Sequence, residues 1–158
     1  MTDLHAGSRL DDLRARIDGW LNEFAANNPM VAAIDRGTSD DTPLGEPRWY
    51  VRMIGDEKDF VTVWLTLGQR TLRYETYVMP APEENQVAVM EMLLRRNDQL
   101  IGAHFSIGQE DAVYLRGEIP DTAVSDAELD RVLGTVYVAV ENNFRSLLRL
   151  AFASRFAG

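Results

Sequence analysis

Phe60–Pro80, FVTVWLTLGQRTLRYETYVMP, decides the fold. It reads as two β-strands, 60–67 and 70–78, folded on a Gly68-Gln69 turn. A two-residue loop with glycine first, between runs rich in β-branched and aromatic residues, is the composition of a type II′ hairpin. In that register Leu67 faces Arg70, Leu65 faces Leu72, Val63 faces Tyr74 and Val61 faces Thr76. A third strand, 48–54, joins through the GDEKD loop with Ile54 opposite Phe60, which brings Trp49, Val51 and Met53 to the same core face. Side chains alternate along a strand, so a slip of one residue would bury Arg52 in their place.

The opposite face of this ribbon is not an ordinary wet face. Its expected rows are Tyr50, Trp64 and Arg73, then Arg52, Thr62 and Glu75, then Ile54, Phe60 and Tyr77. In the first, the Arg73 guanidinium is placed to lie on an aromatic ring. Two of the three rows carry apolar bulk, more than solvation needs. Such a face is covered by the chain's own loop or terminal helix, or it meets another molecule.

Outward from the ribbon, the pattern is blocks of helix and strand. Residues 1–7 read as a loose tail, and a first helix starts at Ser8, with Leu10, Leu13, Ile17, Trp20, Leu21 and Phe24 as one apolar stripe. Asn27-Asn28-Pro29 ends it, and MVAAID (30–35) has the character of a short strand. RGTSDDTPLGEP (36–47) is the most loop-like and the expected mobile piece. Past Pro80 and Pro82 a second helix is expected over 83–97, with Glu83-Glu84 in its first turn opposing the dipole. Its apolar residues, among them Val87, Met90 and Leu94, spread over more than one side, as in a helix that is either deeply buried or shared with another chain. A second hairpin, 100–107 and 113–119, follows on GQEDA, with Ile101, Ala103, Phe105 and Ile107 facing one way alongside Val113, Leu115 and Ile119. Ser125-Asp126-Ala127-Glu128 is a capping box opening the last helix, stapled by Val124 on Leu129. Segregated strands and helices imply an α+β fold: an antiparallel sheet of about five to six strands packed with three helices, as one domain over residues 8–158.

The wording of the middle and end resembles the YbjN family. The resemblance runs from Trp49 to Phe156 and rests on EKDFVTVWLTLGQRTLRYETYVMPAPEEN, LLRRN, IGQEDAVYLRG and FASRF. Members are described as bacterial sensory-transduction regulators without assigned biochemistry. The resemblance implies a fold similar to that of type III secretion chaperones, small acidic and often dimeric proteins that bind polypeptide. It implies no catalytic motif, and residues 1–47 carry no distinctive match. Function does not follow from a shared fold.

Composition narrows the chemistry further. The chain has 158 residues and no cysteine, which excludes disulfides and thiolate chemistry. A net charge of −9 argues against nucleic acid and anionic membranes as partners. No signal peptide and no apolar run of spanning length is legible, so the expected location is cytoplasmic. There are two histidines, His5 and His104. His104 has Tyr114, Arg116 and Glu118 as candidate neighbours, which reads as a polar cross-strand group more readily than as a metal or acid–base site. Asp11-Asp12, Asp40-Asp41 and Glu83-Glu84 are adjacent pairs suited to capping and solvation, since acid–base work needs two carboxyls at a fixed separation in a cleft.

The expectation is therefore a non-enzymatic protein without cofactor or metal. It binds another protein or peptide segment through Tyr50, Arg52, Ile54, Phe60, Trp64, Arg73 and Tyr77, and forms a homodimer through Val87, Met90 and Leu94. The alternative from another class is a small-molecule sensor with an apolar pocket between helices and sheet. An enzyme using His104 and nearby carboxylates ranks third.

Overall fold

The computed structural model describes residues 2–156. Helix α1 (Thr2–Asn27) leads into β1 (Val31–Arg36), followed by β2 (Arg48–Ile54), β3 (Phe60–Leu67) and β4 (Thr71–Met79). Helix α2 (Gln86–Asn97), β5 (His104–Ile107), β6 (Val113–Pro120), the long α3 (Asp126–Ala151) and a single turn, α4 (Ala153–Phe156), complete the chain. The strands form one six-stranded sheet in the order β1-β2-β3-β4-β6-β5. Every neighbouring pair is antiparallel, so the fold is α+β.

One sheet face holds the core. Trp49, Val51, Met53, Val61, Val63, Leu65, Leu72 and Tyr74 are buried there against Ile17 and Leu21 of α1 and Leu129, Val132, Leu133, Val136 and Val140 of α3. The Trp49 indole N–H donates to Asp18 Oδ1 at 2.7 Å, and Asp18 also meets Arg36 at 3.1 Å, which ties α1 to β1 and β2. Ser125 Oγ accepts from the Glu128 amide at 3.1 Å, the cap expected of this sequence. Val124 and Leu129 are buried beside it.

The β2–β3 register is the expected one, with Ile54 opposite Phe60 and Trp49 opposite Leu65. The β3–β4 register differs: Leu67 pairs with Leu72, Leu65 with Tyr74 and Val63 with Thr76. The turn is Gln69-Arg70, closed by the Gly68 amide donating to the Thr71 carbonyl at 2.9 Å, and neither turn residue has a positive φ. This is a shift of two residues against the Gly68-Gln69 expectation. Because side chains repeat with period two, an even shift leaves every residue on its expected face while changing its cross-strand neighbour.

Helix α1 already runs from Thr2, so Ser8 lies inside it and does not cap it. The segment has no proline, and a glycine such as Gly7 costs only about 1 kcal/mol in a helix interior. Helix α2 starts at Gln86, with Asn85 in the left-handed region (φ 54°), so Glu83 and Glu84 precede it. They hold the C-terminal segment instead: both amides donate to the Ala151 carbonyl, Glu84 accepts from the Ser154 amide, and Glu83 pairs with Arg155 at 2.5 Å. Ile101 and Ile107, expected in the core, are exposed, whereas Ala103 and Phe105 between them are buried. The strand is short, and Ile101 precedes it.

One sheet edge, β5, is capped by a side chain. The Asn97 side-chain amide accepts from the Phe105 N–H at 2.7 Å and donates to its carbonyl at 3.1 Å, standing in for a seventh strand on β5. Gly117, opposite Tyr74, is needed for close approach, since a Cβ there would collide with the Tyr74 ring and the Gly102 carbonyl.

Candidate functional site

The second sheet face carries the outward-pointing residues of β2, β3, β4 and β6. One row runs Asp35, Tyr50, Trp64, Glu75, Arg116 and His104 across all six strands. The next toward the β3–β4 turn runs Arg48, Thr66, Arg73 and Glu118. At the other end lie Arg52 opposite Thr62, Ile54 opposite Phe60, and Tyr77 opposite Tyr114.

Side chains on this face engage each other in pairs. The Tyr50 and Trp64 rings meet edge to face at 5.9 Å, as do Tyr77 and Tyr114 at 5.7 Å. Arg48 lies over Trp64 at 5.2 Å, Arg52 over Phe60 at 3.8 Å and Arg116 over Tyr114 at 4.5 Å. Arg73 does not take the aromatic position expected for it. The two-residue shift moves it beside Thr66, and it pairs with Glu46 at 2.9 Å. Glu75 takes its place beside Trp64 and pairs with Arg116 at 3.0 Å.

The loop between β1 and β2 closes over one side of the face. Tyr50 Oη donates to Asp41 Oδ2 at 2.9 Å, Arg48 reaches the Asp41 carbonyl at 3.3 Å, and Thr42 donates to the Glu46 carbonyl at 3.1 Å. The phenol and the Thr38 amide and hydroxyl hold the Asp41 carboxyl below the usual aspartate range. Burial, then the bond to Asp41, pushes the Tyr50 phenol up. The loop expected to be mobile is thus hydrogen-bonded to the sheet at several points.

The seven sequence-predicted residues therefore fall into two groups. Tyr50, Trp64 and Arg73 lie under or beside the loop, and the first two are half-buried. Arg52, Ile54, Phe60 and Tyr77 lie beyond it, with Ile54 47%, Phe60 36% and Tyr77 38% exposed. Lys58, absent from the predicted set, belongs to this second group. Its Nζ sits 6.0 Å from the Tyr77 ring and 5.5 Å from the Phe144 ring, and burial lowers its pKa. It is the single lysine against fifteen arginines, the one signal in the sequence that singles it out.

Helix α2 has two apolar sides, as its sequence suggested. Val89 and Leu93 are buried against the body of the protein, Met90 is half-buried, and Val87 and Leu94 are exposed. A groove of about 630 Å³ separates the end of α2 from α3, lined by Leu100, Ile101, Val138 and Ala139 with Arg96 and Asn143 among its polar groups. The layer between helices and sheet, where a sensor pocket was the alternative, is occupied by buried Trp49, Met53, Leu65 and Tyr74.

His104 stands opposite Arg116, on the same face as Tyr114 and Glu118. Among the described residues no three His, Cys, Asp or Glu side chains gather as a metal would require. No helix of the described residues is long and apolar enough to cross a membrane.

Fold and surface together define a class: an α+β domain whose antiparallel sheet is covered by helices on one face and carries paired aromatic and arginine side chains on the other. The chain belongs to the YbjN family, whose model, "Putative bacterial sensory transduction regulator", matches residues 30–149. It is 36% identical over 108 residues to an uncharacterized protein of Mycobacterium tuberculosis and to one of Mycobacterium bovis. It is 34% identical over 112 residues to an uncharacterized protein of Mycobacterium leprae. These alignments cover 68% and 71% of this chain but 59% and 61% of the relatives, so the chain spans about three fifths of the curated relatives it matches.

Proposed function

We propose that the chain is a non-catalytic regulatory or chaperone-like protein that works by holding another polypeptide on the outer sheet face. The observation that carries this reading is the exposure of Ile54 and Phe60, paired across β2 and β3 with Arg52 over the Phe60 ring, and of Tyr77 in the neighbouring row of Arg52 and Thr62. Aromatic and arginine side chains are enriched among the few residues that carry most of the energy at protein interfaces. Tyr50, Trp64 and Arg73 belong to the same surface as its loop-supported half. On this reading the place of action is the cytoplasm.

Self-association through Val87, Met90 and Leu94 is the second part of the proposal. A helix with one apolar side in the core and another in water has surface left to bury. Replacing Met90 and Leu94 by Glu is expected to give a folded protein of half the wild-type mass by light scattering, with unchanged circular dichroism. A variant that keeps the wild-type mass would overturn the assignment of this helix. For the sheet face, Phe60→Ala with Tyr77→Ala is expected to abolish peptide binding while leaving the thermal transition close to wild type. Undiminished binding in that variant would move the function elsewhere.

A further inference from the structure

The outer face divides its cations into two sets. Arg73 and Arg116 each meet a carboxylate, Glu46 at 2.9 Å and Glu75 at 3.0 Å. Arg52 and Lys58 form no ion pair among the described residues and lie instead against the rings of Phe60 and Tyr77. The carboxylates nearest Lys58 are largely engaged. Both Glu141 oxygens accept backbone amides, from Asp56 at 2.8 Å and Glu57 at 2.7 Å, and the Glu57 carboxylate pairs with Arg145 at 2.5 Å. Asp59 is adjacent and stays outside ion-pair distance of the amine. Two cations without an ion pair among the described residues thus flank a part of this face where large apolar side chains are open to water.

We propose that the corner formed by Arg52, Ile54, Lys58, Phe60 and Tyr77 is a docking site for an extended polypeptide segment that carries an apolar side chain next to an aspartate or glutamate. This rests on the reading of the outer face as polypeptide-binding and names the chemistry of its partner. The apolar side chain covers Ile54, Phe60 and Tyr77. A guanidinium stacked on a ring keeps its N–H donors directed outward from its edge, in the fork that matches a carboxylate. Lys58 supplies a second donor from the other flank. Burial without a partner disfavours its charged form, and an arriving carboxylate reverses that. The net charge of −9 opposes an acidic partner at long range, but repulsion beyond about 8–10 Å is screened at physiological ionic strength, which leaves the contact pairs to decide.

The test is a random-peptide display library panned against the whole chain. The selected peptides are then measured by fluorescence anisotropy on three proteins: wild type, Arg52→Gln with Lys58→Gln, and Phe60→Ala with Tyr77→Ala. The expected result is enrichment of aspartate or glutamate beside a large apolar residue, with affinity falling about tenfold in the charge variant. Selection of neutral or basic peptides that lose affinity in the aromatic variant and keep it in the charge variant would overturn the acidic specificity and leave the docking face standing. No enrichment, or peptides indifferent to both variants, would overturn the specificity and the docking face together. Because the exchanged cations are surface groups, circular dichroism is expected to show all three proteins folded.

Discussion

The two faces of the sheet are written by alternate residues of the same strands, yet they do opposite things with aromatic side chains. On the inner face Trp49 is buried, its ring enclosed by α1 and its indole N–H bonded to Asp18. On the outer face Trp64, next in sequence to Trp49's cross-strand partner Leu65, lies half-exposed under Arg48 and against the edge of Tyr50. An aromatic ring on a sheet thus becomes core or surface according to what covers it, and the covering here is settled by parity. The odd-numbered residues of β2 and β3 face the helices, and the even-numbered ones face the helix-free side. The difference teaches that aromatic bulk alone does not report burial. Pairing with arginine is how this protein carries large rings on an open face.

The largest expected contrast between the faces is in stability. Trp49→Ala is expected to cost about 3–5 kcal/mol, because it leaves a cavity and an unpaired Asp18 contact. Trp64→Ala is expected to cost about 1 kcal/mol. Urea unfolding of both variants measures this, and equal losses would break the distinction between the faces. Next in size is Thr76→Val: Thr76 is buried, and its hydroxyl donates to the Thr62 carbonyl at 2.7 Å. Removing that donor from the core is expected to cost about 1 kcal/mol in the same assay.

Smaller still is the loss on Arg73→Ala, about 0–1 kcal/mol, since the Arg73 side chain of its pair with Glu46 is half exposed. A cost as large as that of Thr76→Val would mean the loop is part of the cooperative core. The smallest effect is a pH dependence. The Asp41 pKa is lowered in the folded protein, so its contribution to holding the loop is present above the ordinary aspartate value and is lost as pH falls through the folded one. Thr38 amide exchange, compared between neutral and acid pH and corrected for intrinsic rates, is expected to lose protection only at the acid end. Protection unchanged down to the acid unfolding transition would contradict the role given to Asp41.

Much of the sheet was legible because its signals are local. The strands 48–54 and 60–67 and their register follow from alternation and a short loop, and both hold. The β3–β4 register differs by two residues from the one alternation suggests, because Gly68 is the residue before the turn and not its first residue. Parity survived, so the faces were right and the neighbours wrong. Arg73 was consequently placed on an aromatic ring, a position Arg48 holds.

What the sequence did not disclose are contacts between distant segments. Nothing local in RGTSDDTPLGEP announces that Asp41 and Glu46 will reach Tyr50 and Arg73, or that Glu83 and Glu84 will hold the C-terminal turn rather than begin a helix. Ile101 and Ile107 were assigned to the core by alternation, which cannot tell where a short strand starts and stops. The sequence puts Ile54, Phe60 and Tyr77 in one row; the shifted register keeps Ile54 opposite Phe60 and moves Tyr77 into the row of Arg52 and Thr62. Lys58 lies in a loop that alternation does not describe.

The most direct test is amide chemical-shift mapping with the tightest peptide from the display selection. The account predicts perturbations centred on Arg52, Ile54, Phe60 and Tyr77, with the amides of Ile17 and Leu129 beneath the other face unmoved. Perturbations centred on Leu100, Ile101 and Val138 in the groove between α2 and α3 would contradict it and place partner binding on the helical side of the molecule.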